Sequence, residues 1–442
     1  MGLEILPIGG FHEVGRNCIA VKVDDEVVIL DMGLMMEEYV KLTSEEREDV
    51  KFQMSAKYLI EQHAAPDINI LGDLKDKVKA ILITHAHLDH VGAVPWLASK
   101  FKCPVHATHF THEVLKTLVS DDKVALKNEM VAHQMDAKFK ISEKISVEFI
   151  SVTHSIPETV IIAVHTPYGT VVYANDFKFD NAPTLGKKPN FTRLKQIAPV
   201  KVLILDSLYA HYVGKTPSES IAREMLRDVL LGTDSTGKAV IVTTFGSHIA
   251  RLNSIIQIGQ KLNRKIVFIG RSLAKYCEAA ERMGFVPFSK QVEFVKYGSM
   301  ARKFFERLKK PEDHLLVVTG HQGEPNAILS RMVYQGLYKF REEDHVVFSC
   351  RVIPTPVNQE NRAKLDAALK TKKVRLFTDV HVSGHAYRED HRELINLVKP
   401  EHVIPTHGEP FMLEALKALA LEMNYKEDKI HLLHNGDRLK IS

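Results

Sequence analysis

The stretch Thr84-His85-Ala86-His87-Leu88-Asp89-His90 limits what this chain can be more than any other part of it. It follows the apolar run Val78-Lys79-Ala80-Ile81-Leu82-Ile83, which predicts a buried strand, so the histidines fall where that strand gives way to a loop. Neutral imidazole and carboxylate are the usual ligands of Zn2+ and related divalent ions. On an extended segment residues two apart face the same side. His85 and His87 therefore point together, and Asp89 and His90 turn away as if towards a second ion. The helical zinc signature has its two histidines four apart, which is not the spacing here. The alternative is a chance run of solvated histidines. Three imidazoles and a carboxylate in six residues argue against it.

The same arrangement recurs along the chain. Ile145 to Thr153 predicts a strand ending at His154, Thr170 to Asn175 one ending at Asp176, and Lys201 to Leu205 one ending at Asp206. Val374 to Thr378 leads through Asp379 into His381-Val382-Ser383-Gly384-His385, and His402 to Pro405 leads into Thr406-His407-Gly408-Glu409. Any one of these histidines could be structural. Five such termini beside the His85 cluster describe a site, because functional groups on loops held by a rigid sheet are its common form. Cys18 to Val23 and Val27 to Leu30 flank Asp24-Asp25-Glu26 and predict a hairpin, whose second strand ends in Asp31, either a ligand or an anchor behind the ligands. The glycine-punctuated loop Gly9 to Asn17 is not a dinucleotide fingerprint, since no helical pattern opens on its glycines. Glu37 to Lys51, with Glu45-Glu46-Arg47-Glu48-Asp49 inside it, predicts a solvated helix or loop. Val91 to Lys100 has helical spacing and places the only tryptophan, Trp96, in the core.

At 442 residues the chain has room for two or three domains, and 45% apolar with 26% charged residues is ordinary for a soluble globular protein. A net charge of +4 suits a polyanionic partner and equally a uniformly solvated surface. Cys18, Cys103, Cys277 and Cys350 have no paired spacing, which argues against a disulfide framework or a thiolate zinc site and predicts a reducing compartment. No basic-then-apolar leader opens the chain, and no uncharged apolar stretch approaches the roughly 18 residues of a membrane span. The expectation is a cytoplasmic protein with no membrane partner. Between Tyr209 and Asn358 strand runs (Lys238 to Thr243, Lys265 to Ile269, Leu315 to Val318) alternate with helical patterns (His248 to Leu262, Leu273 to Met283). That alternation predicts an α/β domain inserted into the first, giving 1–208, an insertion 209–358, and 359–442. Lys261, Arg264, Lys265, Arg271 and Lys275 make the insertion locally basic, either a solvated face or a channel tracking a nucleic-acid backbone.

With these residues assembled, the chain resembles the β-CASP branch of the metallo-β-lactamase superfamily, and within it the ribonuclease J family, over essentially its whole length. His85-x-His87-x-Asp89-His90, His154, Asp176 and His407 match the superfamily metal motifs, while Asp206, His385 and His407 match the β-CASP motifs. His381-Val382-Ser383-Gly384-His385-Ala386 and Thr319-Gly320-His321-Gln322-Gly323-Glu324-Pro325 point to ribonuclease J rather than to the mRNA-cleaving endonucleases. Three departures stand out. His321 stands where bacterial members commonly have Ser, Asn175 where Gly is usual, and Ile353-Pro354-Thr355-Pro356-Val357-Asn358 is only similar to the family's Pro-Gly-Asn form. Nothing after Ser442 corresponds to the bacterial C-terminal domain, so the chain resembles the shorter archaeal form.

The resemblance implies an αββα metallo-β-lactamase sandwich with an inserted α/β β-CASP domain, and a structural role for Asp31. It implies two Zn2+ per chain, with Mn2+ or Mg2+ as substitutes. His85, His87 and His154 would hold one, Asp89, His90 and His407 the other, and Asp176 both, because a carboxylate has two oxygens and an imidazole cannot span two ions. His385 would face the leaving oxygen, oriented by Asp206, and the substrate would be single-stranded RNA. Gly246, Ser247 and His248 together with His381, Val382, Ser383, Gly384 and His385 would contact it. Ser247 as an ordinary helix cap is the plainer reading of the first group. The expected activity is 5′→3′ exoribonuclease action on 5′-monophosphorylated RNA in RNA decay and processing, with room for endonuclease activity and for a homodimer. The alternatives are a β-CASP endoribonuclease of the mRNA 3′-end-processing type and a metal-free RNA-binding scaffold.

Overall fold

A computed structural model describes residues 2–44, 54–122 and 124–441. The charge run Glu45-Glu46-Arg47-Glu48-Asp49 lies outside the described residues. The chain divides into two compact units. One gathers Met1–Asn181, Gly186–Thr216 and Gly384–Ser442, the other Ala182–Leu185 and Pro217–Ser383.

The first unit holds two sheets. Seven strands run in the order Leu439–Ile441, Leu3–Gly9, Cys18–Val23, Glu26–Leu30, Val78–Leu82, Val105–Thr108, Met130–His133. Six run in the order His402–Thr406, Val202–Asp206, Gly169–Ala174, Val160–Thr166, Ser146–Ser151, Lys138–Lys140. Side chains alternate across a strand, and the packing follows that period. Val202 and Ile204 enter a core shared with Ile5, Val28 and Leu82 of the other sheet. Leu203 and Leu205 instead meet Leu194, Leu394 and Leu416 on the covering helices Phe191–Gln196, Arg388–Val398 and Pro410–Glu422. Strands buried on both faces read as continuous apolar runs for this reason. Each such Leu, Ile or Val side chain contributes about 1.5–3 kcal/mol on burial.

The direction of the strands decides where chemistry can sit. Gly169–Ala174, Val202–Asp206 and His402–Thr406 are parallel neighbours, with Ala174 beside Leu205 and Asp206 beside Thr406. Asp176, Asp206 and His407 therefore leave the sheet at the same edge. In the other sheet Glu26–Leu30 and Val78–Leu82 are parallel, with Leu30 beside Leu82. Their ends carry Asp31 and the Thr84–His90 stretch. The helix expected over Val91 to Lys100 is broken into Leu88–Val91, Val94–Leu97 and a 3-10 turn Ala98–Lys100. Pro95, with no N–H to give, sits in the first turn of the middle piece, where none is needed. Trp96 is half-buried.

The second unit is a six-stranded parallel sheet in the order Glu293–Val295, Lys265–Ile269, His314–Val318, Val240–Thr243, His345–Phe348, Arg375–Phe377. It runs on to Ser383, past the return at 359 expected from sequence. The physical reason is pairing. Arg375–Phe377 is hydrogen-bonded to His345–Phe348, and Leu365 and Leu369 of the helix Pro356–Thr371 pack into the core beneath. At the other side, 209–216 stays with the first unit.

Among the described residues no helix is long and apolar enough to cross a membrane. All four cysteines are buried and free. Two buried histidines outside the candidate site give the fold an acid sensitivity. Burial pushes His106 down to about 4, helped by its neighbour His133, and His321 to about 3, helped by the charge of Arg362. Unfolded, both would titrate near 6.5. At pH 7 neither state binds the proton. As pH falls below 6.5 the unfolded chain takes it up first, so stability is lost from about 6.5 towards 4. Denaturant titration at pH 7 and pH 5 should show roughly 2 kcal/mol lost per histidine, and His321→Leu should remove its share.

Candidate metal centre

Seven side chains converge at the strand ends of the first unit. Donor atoms of His85, His87, His154 and Asp176 lie within 4.8 Å of one another, as do those of Asp89, His90, Asp176 and His407. Asp176 belongs to both groups. Its Oδ2 lies 3.6 Å from His85 Nε2 and 3.3 Å from His154 Nε2, and its Oδ1 lies 3.3 Å from His90 Nε2 and 3.5 Å from His407 Nε2. A third group, Asp206, His385 and His407, adjoins them.

The partners behind the rings fix which nitrogen faces inward. His154 Nδ1 stands 2.7 Å from the carbonyl oxygen of Gly384, which can only accept, so Nδ1 carries the proton and Nε2 a lone pair. His407 Nδ1 faces Asn17 Oδ1 at 3.0 Å, and His90 Nδ1 faces Asp31 Oδ2 at 2.8 Å. Thr84 Oγ1 donates to Asp31 and thereby accepts from His85 Nδ1 at 3.0 Å. Four Nε2 atoms are thus turned towards Asp176. In the first group His87 Nδ1 lies 3.1 Å from both His85 Nε2 and His154 Nε2. Lone pairs that close, with Asp176 Oδ1 buried and without a hydrogen-bond partner among the described residues, are a cradle for cations. The donor set fits divalent ions.

Electrostatics agree. Burial holds His85 and His154 well below their ordinary value and takes His87 to about 4, so these rings are neutral, as ligands must be. Burial also opposes charge on His90, but Asp176, Asp89 and Asp31 outweigh it and raise that ring well above 6.5. Burial opposes ionisation of Asp176, yet His90, His385 and His407 keep it far below the usual carboxylate range. The centre demands positive charge.

Asp31 sits behind the site. Its left-handed φ of 59° turns the carboxylate to accept from Thr84 N and Oγ1, His90 Nδ1 and the Tyr173 hydroxyl. His407 also has a positive φ, 53°, and its N–H donates to Gly10 O at 2.7 Å. A non-glycine residue held there marks a position that the surroundings over-determine. Gly33 allows the closest approach, since a Cβ there would lie 1.6 Å from the carbonyl oxygen of Asp89.

His385 stands just beyond the seven. Its Nδ1 is 3.2 Å from Asp206 Oδ2, and its Nε2 is 3.8 Å from Asp176 Oδ2. Gly246, Ser247, His248, His381, Val382 and Ser383 all belong to the second unit, whereas Gly384 and His385 belong to the first. Asn17, Thr84 and the Gly384 carbonyl are the partners that sequence reasoning missed. Asn17 is 99% shielded and touches His90 Nε2, Asp89 O and His407, yet nothing in the Gly9 to Asn17 loop marks it out beyond being a polar residue beside an apolar strand.

A two-sheet sandwich flanked by helices, with histidines and aspartates gathered at one edge and a parallel-sheet domain inserted, defines a metallo-β-lactamase-type hydrolase with a β-CASP insertion. Three family descriptions match in line with this: "Metallo-beta-lactamase superfamily" over 13–188, "Ribonuclease J, beta-CASP domain" over 237–365, and "Zn-dependent metallo-hydrolase RNA specificity domain" over 372–432. The chain is 40% identical to Ribonuclease J of Methanocaldococcus jannaschii, over 99% of each chain. It is 40% identical to that of Pyrococcus abyssi, over 99% of this chain and 97% of the relative. Ribonuclease J of Helicobacter pylori (strain J99) is 32% identical over 99% of this chain, which spans 60% of that longer protein. A crystal structure of a protein of unknown function from Enterococcus faecalis V583 shares the fold, with a TM-score of 0.66 at 17% identity and full coverage of both chains. The chain belongs to the ribonuclease J family.

Proposed function

We propose that this chain, as a metal-dependent ribonuclease of its family, degrades single-stranded RNA 5′→3′ from a monophosphorylated end, in the cytoplasm, as part of RNA decay and processing. Two Zn2+ are the proposed ions, with Mn2+ or Mg2+ as substitutes, and a homodimer is the proposed assembly. His85, His87, His154 and Asp176 would hold one ion, and Asp89, His90, His407 and Asp176 the other. The observation that carries this reading is the convergence of four oriented Nε2 atoms on the shared carboxylate of Asp176, with His385 3.8 Å beyond it. Bound divalent ions supply Lewis acidity at the phosphoryl oxygens and lower the pKa of water from about 15.7 towards 7.

The remaining work falls to side chains. Hydrolysis adds the oxygen of water to phosphorus and breaks the bond to the 3′ oxygen, which leaves with a proton. His385, held by Asp206, is placed to give that proton and to offset the charge that develops on phosphorus. The next nucleotide keeps a 5′-phosphate and can enter the same cycle. His381, Val382, Ser383 and Gly384 are the proposed phosphate-binding turn. Gly246, Ser247 and His248 precede the helix Ile249–Lys261, whose first N–H groups suit a phosphate.

The test uses RNA labelled at its 5′ end and bearing hydroxyl, monophosphate or triphosphate termini. Mononucleotide release confined to the monophosphate form is expected. Equal internal cutting of all three would replace this reading with the endoribonuclease of the mRNA-processing type. The partners behind the rings allow a second check. Asn17→Ala should weaken metal binding or turnover by about 10–100-fold, because His407 loses the acceptor that orients it. Metal content and affinity equal to the parent's would remove Asn17 from the site.

A further inference from the structure

Arg251 has no exposed surface, and its charge is met within the second unit by Glu219. The contact is a fork. Nε donates to Glu219 Oε1 at 2.6 Å and Nη2 to Oε2 at 2.8 Å. The other face of the guanidinium looks away from the carboxylate. There Nη1 donates to Ser349, at 2.9 Å to its carbonyl oxygen and 2.8 Å to Oγ, and lies 3.4 Å from both Val380 O and His381 Nδ1. Ser349 Oγ in turn donates to Val380 O at 2.9 Å. Glu219 Oε2 also lies 3.4 Å from His248 Nε2. One buried ion pair therefore ties together the two stretches that the proposed function assigns to substrate phosphate, 133 residues apart from His248 to His381.

A guanidinium has five donors and no acceptor, so the ring nitrogen that faces it must carry a lone pair. We propose that Arg251 and Glu219 are positioning residues for phosphate binding: Arg251 fixes His381 as the neutral tautomer with its proton on Nε2, and the turn His381–Ser383 thereby offers an uncharged N–H donor to a phosphate oxygen. Nε2 of His381 makes no hydrogen bond among the described residues. The groups that bear on the ring come from four places: Arg251 on the helix Ile249–Lys261, His248 at its start, Glu219 at the start of Glu219–Gly232, and Arg351 after His345–Phe348. Burial first, then Arg251 and His248, hold His381 well below its ordinary value. An imidazolium would grip phosphate about twice as strongly and would make the grip vary near neutral pH. A fixed neutral donor does neither, which suits a site that must release a phosphate after every cut. This inference rests on the assignment of the turn to substrate.

The test combines a spectroscopic and a kinetic readout on the full chain. Nitrogen-15 histidine NMR, with the His381 signals identified by their loss in His381→Gln, should show the Nε2–H tautomer without titration from pH 5.5 to 8. The pair is best replaced together, as Arg251→Met with Glu219→Gln, because removing one partner leaves a buried charge unpaired. In that double variant burial and His248 still hold the ring down, but the larger effect of Arg251 is lost together with the smaller, opposite one of Glu219, so the onset of His381 titration should move up in pH from the parent's. The variant's KM for 5′-monophosphorylated RNA should drift by about fivefold relative to the parent across the same range, with kcat less affected. The drift should vanish when His381→Gln is added. Titration of His381 in the parent overturns the proposal whether or not the variant folds, as does a variant KM profile parallel to the parent's. If the tautomer is found as stated but His381→Gln leaves KM unmoved, the turn does not hold phosphate, and the positioning role falls while the ribonuclease reading stands.

Discussion

Asp176→Ala is expected to abolish RNA cleavage, by more than about 10⁴-fold, and to release metal from both donor groups at once. The size follows from what bound ions would supply: availability of hydroxide at neutral pH would depend on moving the pKa of water across roughly nine units, from about 15.7 towards 7. The doubling of the effect follows from geometry. Asp176 alone among the seven side chains appears in both donor groups, with one oxygen towards His85 and His154 and the other towards His90 and His407. Loss of any histidine removes one donor from one group. Loss of Asp176 takes a negative charge from each, and leaves His90, which that carboxylate helps to keep charged in the absence of metal, with less to face. Elemental analysis of the purified variant should find well under two ions per chain, and circular dichroism should still report the folded protein. A variant that keeps both ions and a rate within tenfold of the parent's would mean that the two groups are not bridged, and the reading of the centre would have to be rebuilt.

Much of this was open to reading in the chain itself, for a physical reason. A strand buried on both faces is written as an uninterrupted apolar run, so its end is sharp, and a histidine or aspartate just past that end is conspicuous. Asp206 after Val202-Leu203-Ile204-Leu205 and His407 after His402–Thr406 are of this kind. What such runs do not carry is the identity of groups that act from behind. Asn17 meets His407 across 390 positions of sequence, and Gly384 meets His154 through a backbone carbonyl that any residue would possess. Arg251 is the sharper case. In sequence it is one charge in a helix that also holds Leu252, Ile255 and Ile256, where solvent exposure is the natural expectation, and only the tertiary fold shows it with no exposed surface. The end of the inserted unit escaped for a different reason. Glu293–Val295 is three residues, too short for a period to be recognised, and the run Val374 to Thr378 carries no mark of which sheet it joins, since Arg375–Phe377 belongs to the inserted sheet only through its pairing with His345–Phe348.

His385→Ala is expected to leave close to two ions per chain and to cut turnover by about 10²–10⁴-fold, the range typical of a lost general acid. The neighbouring Asp206 makes a finer test. Burial works against charge on His385, but Asp176, the hydrogen bond with Asp206, and the Asp206 and Asp89 carboxylates outweigh it and raise the ring to about 9. Cations in the two donor groups would push in the opposite direction, and Asp206, 3.2 Å from the ring, would push against them. Asp206→Asn retains the shape and removes the charge. A proton donor with a lowered pKa is lost at lower pH, so the alkaline limb of kcat should move down in pH in this variant while the acid limb stays in place, and the deficit against the parent should widen from pH 7 to pH 9. Metal content separates the two ways His385 could matter. Asp206, His385 and His407 themselves come within ligand distance of one another, so a drop in bound metal on His385→Ala would make His385 a ligand. Full metal content with slow turnover would leave it facing the departing 3′ oxygen, with the pH profile of Asp206→Asn reporting whether a proton is what it delivers.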